Sequence, residues 1–521
     1  MKYFFTFLLA MFSFLAKAQQ YDFIIKNARI LDGTGNSWYK ADLAIKGDEI
    51  AKIAPSISDS ARKIIDVKNK ILSPGFIDVH THIEGDETIS PTAQSFIYDG
   101  VTTVITGNCG SSRVNIKQYL DFIDSVKLSI NVGVLIGHND VRKAVMGKVN
   151  RDPSSEEMKK MEALVAQAMI DGAMGLSTGL IYIPGTFAKT LEIVELAKVA
   201  SKYHGIYATH MRSESDKVKE AITEALIIGK EAKLPVEISH FKIGGQQNWG
   251  QSTQTLAMVK QARLDGLDVT IDQYPYTASS TSISTLVPDD ILADGQDSIM
   301  ARLQKPKTRK RLIEEMLTSL KKRKLKHFDY AVVAYYAPDT TYNGKSIEEI
   351  NLMRGKKHQA KAEAETVLNI VEHGGAGAVF HGMGDDDLKN IMKYPFNMPA
   401  CDAGIRAFGL GMPHPRGYGT HARILAKYVR EEQLITLEEA VRRMTSLPAQ
   451  KFQLKDRGLI KEGMKADIVI FNPDSVIDRA TYEQPHAFSI GFEYVFVNGG
   501  LTVENGKHTD MRNGSALRHT Y

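Results

Sequence analysis

Residues of the types that bind metal ions follow several well-separated apolar segments of the sequence. They are His80, His82, Cys109, His210, His240 and Asp402. Two histidines at i and i+2 of a strand face the same side, so both imidazoles can reach one cation. Thiolate, imidazole and carboxylate ligands together suit zinc better than magnesium or calcium, which prefer oxygen. The pattern predicts a zinc site; the alternative is a set of buried, hydrogen-bonded histidines with a disulfide or free thiols at Cys109 and Cys401.

The segments that carry these residues alternate with helical patterns. The apolar runs 206–210 and 234–240 each precede an amphipathic stretch, near 216–232 and 253–265 respectively. Such a βαβα order predicts a parallel sheet covered by helices. The candidate ligands lie at the carboxyl ends of the predicted strands, where barrel enzymes place their chemistry. The expected fold class is therefore α/β, a TIM-like (β/α)8 barrel.

The two ends of the chain have a different pattern from the middle. Residues 19–73 and 456–521 contain short strands separated by Gly and Asn turns, and we expect them to form one small β-sandwich domain. The barrel is assigned to residues 74–455. Its strand and helix alternation breaks at about 289–375, which predicts an insertion late in the barrel. The basic run 305–326 is interrupted by acidic residues and is interpreted as the solvated face of a helix.

The N-terminal segment predicts export. Lys2 precedes an apolar stretch without charge, and Ala16 and Ala18 are the small residues of a signal-peptidase site, so residues 1–18 are interpreted as a signal peptide. A membrane anchor is the alternative, but the apolar stretch is short for a span. The expected location is periplasmic or secreted, without membrane insertion after cleavage. The net charge of +4 includes Lys2 and Lys17, and no dense basic cluster indicates nucleic acid.

Several longer motifs carry a family resemblance. The most specific are Asn-Cys-Gly at 108–110 and Thr-His-Met-Arg-Ser-Glu at 209–214. Others span residues 73–82, 100–107, 172–182, 238–242, 272–276 and 414–419. Through them the chain resembles the amidohydrolase superfamily, and within it the N-acyl-D-amino-acid deacylases (D-aminoacylases). The resemblance extends to about Asn498 and implies the barrel and a metal-dependent hydrolase.

The resemblance also implies how the ligands are shared. Cys109, His210 and His240 would hold one tightly bound zinc ion. His80 and His82 (the His-x-His pair) and Asp402 would line a second, weaker position, with Cys109 able to bridge the two. Hydantoinases and dihydroorotases, the alternative within the superfamily, use a carboxylated lysine on the fourth strand. The matching segment here, residues 172–182, contains no lysine, which argues against that alternative.

The implied reaction is hydrolysis of an N-acyl-D-amino acid, or of a dipeptide ending in a D-residue. Asp402 would act as general base and then general acid; its alternative role is to cap a turn. The substrate carboxylate would be bound by Lys242, Tyr274, Ser280 and Arg416. The loop 281–288 has no arginine, which favours a neutral substrate side chain. A catalytically inactive barrel that binds metal or ligand is the remaining alternative.

Overall fold

The computed structural model describes residues 20–521, so the predicted signal peptide lies outside the described residues. The strands are β1 (Tyr21–Ile30), β2 (Tyr39–Lys46), β3 (Glu49–Ala54), β4 (Ala61–Asp66), β5 (Ile71–Pro74), β6 (Phe76–Asp78), β7 (Val101–Thr106), β8 (Asn131–Val134), β9 (Ile136–Gly137), β10 (Gly175–Gly179), β11 (Ile206–His210), β12 (Val236–Ile238), β13 (Val269–Gln273), β14 (Ala278–Ser282), β15 (Ala331–Tyr335), β16 (Gly377–His381), β17 (Asn397–Pro399), β18 (Ile468–Phe471), β19 (Phe492–Val497), β20 (Gly500–Glu504) and β21 (Lys507–His508).

The helices fill most of the intervals between these strands. They are α1 (Gln94–Ile97), α2 (Ile116–Val126), α3 (His138–Met146), α4 (Ser155–Ile170), α5 (Thr190–Lys202), α6 (Val218–Ala232), α7 (Ser252–Leu264), α8 (Asp289–Leu292), α9 (Gln296–Leu303), α10 (Pro306–Lys322), α11 (Ile347–Met353), α12 (Ala360–Glu372), α13 (Asp385–Met392), α14 (Arg416–Arg423), α15 (Leu437–Met444) and α16 (Ser446–Lys451). A π-helical segment, Ile424–Glu431, follows α14. Over residues 20–521, none of the helices has both the length and the hydropathy of a membrane span.

The parallel strands close into a barrel. β6, β7 and β8 pair in parallel, β9 continues β8 after one residue, and β9 through β13 and β17 pair in parallel in the order of the chain. A parallel bridge between Thr81 and Ala403 joins the two edges. The strands are buried on both faces, as expected for a sheet with side chains inside and helices outside. The barrel predicted from the sequence is confirmed.

The helices cover the barrel through apolar stripes at helical spacing. In α6 the residues that face the strands recur three or four positions apart: Val218, Ala221, Ile222, Ala225, Ile228 and Ala232. That spacing forms one continuous apolar face on a helix. The helix ends at Lys233, whose left-handed backbone turns the chain towards β12. In each βα unit the carboxyl end of the strand therefore lies at the same mouth of the barrel.

A second sheet joins the two ends of the chain. Its strand order is β21-β20-β19-β18-β5-β1-β2-β3, with β4 paired to β1. N-terminal β5 and C-terminal β18 pair antiparallel through Ile71–Pro74 and Ile468–Phe471. Alternate residues from both ends, including Ile25, Leu43 and Phe496, form a separate apolar cluster. The β-domain built from both chain ends is thus part of the observed fold.

An insertion lies between barrel strands β13 and β17. It contains the antiparallel sheet β14-β16-β15 and helices α8 to α12, which enclose their own apolar core. Its sheet extends from Ala278 to His381 and so passes both limits of the predicted insertion, 289–375. The first and last strands of the insertion, β14 and β16, pair with each other where the chain leaves and rejoins the barrel. Within it, α10 buries Leu312 and Met316 while its basic side chains face outward.

Candidate metal centre

The predicted ligands converge at the carboxyl ends of the barrel strands. They follow or end β6 (His80, His82), β7 (Cys109), β11 (His210), β12 (His240) and β17 (Asp402). The Cys109 Sγ lies 3.3 Å from His80 Nε2, 3.6 Å from His210 Nδ1 and 3.7 Å from His240 Nε2. The strand ends therefore bring one sulfur and three imidazole nitrogens to a single buried point.

A second group of ligand atoms adjoins the first. The Asp402 Oδ1 lies 3.3 Å from His82 Nε2 and 3.5 Å from His80 Nε2. One donor atom each of His80, Cys109 and His240 lie within 4.8 Å of one another, and so do those of His80, His82 and Asp402. The two groups share His80, so the six side chains form one continuous centre.

The chemistry of these side chains fits a zinc ion. The Nε2 of His210 is buried and makes no hydrogen bond in the part of the chain that the structure describes. Cys109 and Cys401 are both free, so the disulfide alternative is wrong. Burial raises the pKa of the Cys109 thiol, but His80, His210 and His240 outweigh it and hold that pKa well below the usual range. A thiolate among imidazoles is a ligand set that zinc prefers.

Three of the candidate ligands have left-handed backbone conformations. The φ angles are 53° at Cys109, 35° at His240 and 50° at Asp402. Non-glycine residues adopt this region at a cost, and such strain persists where the surroundings enforce it, often at functional sites. Here Asp402 N–H donates to the His80 carbonyl at 2.9 Å, and His240 N–H donates to Asp272 Oδ1 at 2.7 Å.

Two carboxylates that were not among the predicted site residues orient the histidines. The Oε1 of Glu214 lies 2.6 Å from His240 Nδ1, and Asp272 Oδ2 lies 3.1 Å from His80 Nδ1. Each leaves the Nε2 of its imidazole facing Cys109. Carboxylate partners of this kind fix the tautomer and the ring position of metal-binding histidines. Both residues lie inside the motifs quoted above, and that was the only signal for them.

Arg416 is placed as a carboxylate-binding residue would be. Its Nη2 lies 2.9 Å from Asp402 Oδ2 and 3.3 Å from the Ser280 carbonyl. Its Nε and Nη1 are buried without a hydrogen-bond partner among residues 20–521. The guanidinium carbon lies 4.4 Å from the centre of the Tyr274 ring. The guanidinium of Arg416 therefore keeps hydrogen-bond donors without a partner beside Asp402.

Lys242 lies in the same centre but is fully engaged. Its Nζ pairs with Glu214 and lies 2.8 Å from both the Nδ1 and the carbonyl oxygen of His240. The side chain faces the site, as its position two residues after His240 predicts. Its contacts make it a partner of Glu214, so its predicted contact with the substrate carboxylate requires one of these bonds to be exchanged.

Two cavities open at the mouth of the barrel. One has a volume of about 490 Å³ and is lined by Cys109, Ser280, Asp402 and Arg416, among others. The other, of about 510 Å³, reaches Lys242 and the insertion. Tyr182 and Thr281 line both cavities, and their hydroxyl oxygens lie 3.0 Å apart. Tyr182 and Thr281 therefore form the boundary between the two cavities.

The ionisation of Asp402 suits a proton acceptor. Burial raises its pKa, but Arg416 and His80 beside it outweigh burial and hold the pKa well below its usual range. The carboxylate is therefore charged at neutral pH. Because Arg416 holds one oxygen, the other oxygen faces His80 and His82 at the candidate metal position.

Comparison with known proteins agrees with this geometry. The family model described as "Amidohydrolase family" matches residues 63–503. A D-aminoacylase of Alcaligenes xylosoxydans xylosoxydans is 32% identical, with 96% of this chain and 99% of the relative covered. An N-acyl-D-aspartate deacylase of the same organism is 33% identical, with 96% and 95% covered.

A solved structure shows the same relationship in three dimensions. It is an N-acyl-D-glutamate deacylase of Bordetella bronchiseptica, complexed with zinc and a phosphonate inhibitor that mimics the tetrahedral intermediate. Its TM-score to this chain is 0.82 at 32% identity, and 96% of this chain and 100% of that one are covered. Similarity of this extent shows a hydrolase of amide bonds. The chain belongs to the amidohydrolase family, and within it to the N-acyl-D-amino-acid deacylases.

Proposed function

We propose that the protein hydrolyses the amide bond of N-acyl-D-amino acids, including dipeptides that end in a D-residue, in a zinc-dependent reaction. The observation that carries the proposal is Arg416, which presents two unpartnered donors beside the charged Asp402. An α-carboxylate bound there would place its neighbouring amide next to the cluster of imidazoles and thiolate. The relatives named above, which act on N-acyl-D-amino acids, support the stereochemistry.

The metal would be held by the residues predicted from the sequence. Cys109, His210 and His240 suit the tighter position, and the His-x-His pair with Asp402 suits the weaker one. When bound, zinc lowers the pKa of water to about 7 and polarises a carbonyl group. Glu214 keeps His240, and Asp272 keeps His80, in the tautomer that leaves Nε2 free of a proton.

The side chains perform the remaining steps. Arg416 binds the α-carboxylate through hydrogen bonds from its guanidinium, which orients the scissile amide. Asp402 accepts a proton at Oδ1 from the attacking water, and it then donates that proton to the departing nitrogen. The Arg416 contact holds Asp402 Oδ2 during both transfers. Tyr274 supports the guanidinium with its ring, and Ser280 contributes its carbonyl and the cavity wall.

A neutral or apolar substrate side chain is part of the proposal. The loop 281–288 contains no arginine, and the cavity beyond Tyr182 includes Leu286, Phe380 and Met383. Arg323 of the insertion also reaches that cavity, so an acidic side chain belongs among the substrates to be compared. The hydantoinase-like alternative is not favoured, because the full-length relatives are deacylases of linear amides.

The test uses residues 19–521 and paired N-acetyl-D- and N-acetyl-L-amino acids with Ala, Met, Leu, Phe, Glu and Lys side chains, together with L-Ala-D-Ala and a hydantoin. We expect zinc-dependent amine release from the D-forms. Asp402→Asn should lower kcat by about 10²- to 10⁴-fold while zinc remains bound. Asp140→Asn is the matched control, because Asp140 lines the same cavity but bonds to Ser112 N–H at 3.0 Å. Hydrolysis of a hydantoin alone, or full activity in Asp402→Asn, would overturn the proposal.

Export completes the proposal. It is supported by the charge, apolar length and small residues of positions 1–18, and D-residues occur in cell-wall fragments outside the cytoplasm. Expression of the full chain in a bacterial host, followed by fractionation and N-terminal sequencing, tests it. We expect a periplasmic or secreted protein that begins at Gln19; an uncleaved cytoplasmic chain would contradict export.

A further inference from the structure

A second group of metal-binding side chains lies in the insertion, apart from the centre in the barrel mouth. Its members are His327, Glu348, His358 and Glu363, and one ligand atom of each lies within 4.8 Å of the others. His327 precedes β15, Glu348 is in the first turn of α11, His358 lies between α11 and α12, and Glu363 is in the first turn of α12. Folding of the insertion core thus brings four separate positions together.

The contacts within this group are those of a preformed ligand set. The His327 Nδ1 lies 2.6 Å from Glu363 Oε1 and 3.7 Å from Glu348 Oε1. Glu348 Oε1 also contacts His358 Nε2. Two imidazoles and two carboxylates are thus connected through Glu348 and His327. In a tetrahedral zinc site, metal–ligand distances of about 2.0–2.1 Å place neighbouring ligand atoms about 3.3 Å apart. A small shift of these four side chains would therefore accommodate the ion.

Burial and charge favour a cation at this point. The Glu363 side chain is 0% exposed, and its second oxygen accepts the Phe328 N–H at 2.8 Å. Carboxylates are rarely buried to this extent without a compensating charge. The two imidazole rings stack with centroids 4.3 Å apart, which brings both beside the two carboxylates. A divalent cation would balance the charge of the two carboxylates.

We propose that His327, Glu348, His358 and Glu363 form a zinc site that fastens the segment before β15 to helices α11 and α12. Imidazole and carboxylate ligands are compatible with zinc in tetrahedral geometry. The side chain of His358 is 54% exposed and provides a path for the ion from solvent. The site is structural, because protein side chains supply all four ligands and no position remains for a substrate.

The test compares zinc content in three forms of the full chain: wild type, His358→Gln and His373→Gln. His358 is exposed enough for its replacement to leave the insertion core intact. His373 is an exposed histidine at the end of α12, and its Nδ1 lies 2.7 Å from the Asn369 carbonyl, so it serves as the matched control. Each protein is dialysed against micromolar zinc and its bound metal is measured by mass spectrometry.

We expect His358→Gln to hold one zinc ion fewer per chain than wild type and His373→Gln, with unchanged amine release. Melting temperatures give a second measurement. The three proteins should have the same melting temperature in a chelator, and the melting temperature of His358→Gln should rise less than those of the others when zinc is added. Equal zinc content and equal gains in all three would overturn the site. Because the barrel ligands are intact in every form, this outcome is independent of the proposed activity.

Discussion

Glu214 is the residue whose replacement tests the organisation of the centre most directly. Its Oε1 lies 2.6 Å from His240 Nδ1, and the same carboxylate pairs with Lys242. Burial raises its pKa, but Lys242 and His240 outweigh burial and hold the pKa well below its usual range, so the carboxylate is charged. In Glu214→Gln, His240 loses the anion that fixes its proton on Nδ1, and Lys242 loses its counter-ion.

The expected effect follows from that contact. Loss of a carboxylate partner behind a metal-binding imidazole typically lowers metal affinity or activity about 10- to 100-fold, which corresponds to about 1.4–2.7 kcal/mol. The assay is zinc competition with a chromogenic chelator, combined with amine release at increasing free zinc. We expect a larger zinc dissociation constant in Glu214→Gln than in wild type, and partial recovery of activity at high zinc.

Glu224→Gln is the matched control. Glu224 is also a mostly buried carboxylate, but it pairs with Arg212 at 3.0 Å. The replacement Glu224→Gln should therefore leave the zinc dissociation constant unchanged. Equal zinc affinity in Glu214→Gln and wild type would refute the argument that Glu214 orients His240. A loss of affinity in both variants would indicate a general effect of lost charge in this part of the barrel.

Two further predictions concern stability. Glu192→Ala should lower the free energy of unfolding by about 3–5 kcal/mol in urea denaturation, because it leaves the fully buried Arg142 without its charged partner. Glu195→Ala breaks an exposed pair with Lys198, and a comparable loss there would contradict this reasoning. Burial raises the pKa of Asp86 to about 6, above its unfolded value of about 3.9. The stabilisation by Asp86 is therefore present below about pH 4 and is lost as the pH rises through about 6. The melting-temperature advantage of Asp86→Asn over wild type should grow from pH 4 to 7, and a difference independent of pH would contradict the shift.

The barrel could be predicted from the sequence because its signals are local and repeated. A run such as Ile206–His210 is buried throughout, and the apolar positions of α6 recur at helical spacing. Once strands and helices alternate, parallel pairing brings every strand end to one mouth. The helix limits near 216–232 and 253–265 differ from those observed by no more than two residues. The insertion was harder to delimit, because the Ser-rich β14 (Ala278–Ser282) becomes a strand only through pairing with β16.

The candidate site was predictable as a set of residue types, but its internal connections were not. Ligands at strand ends can be recognised one at a time, whereas Glu214 and Asp272 matter only through contacts with histidines on other strands. The left-handed backbone at Cys109 and Asp402 has no sequence signal comparable to glycine. The local pattern therefore specifies which side chains can take part in the site, while the barrel determines which of them are held in position and which, like Lys242, are already paired with another residue.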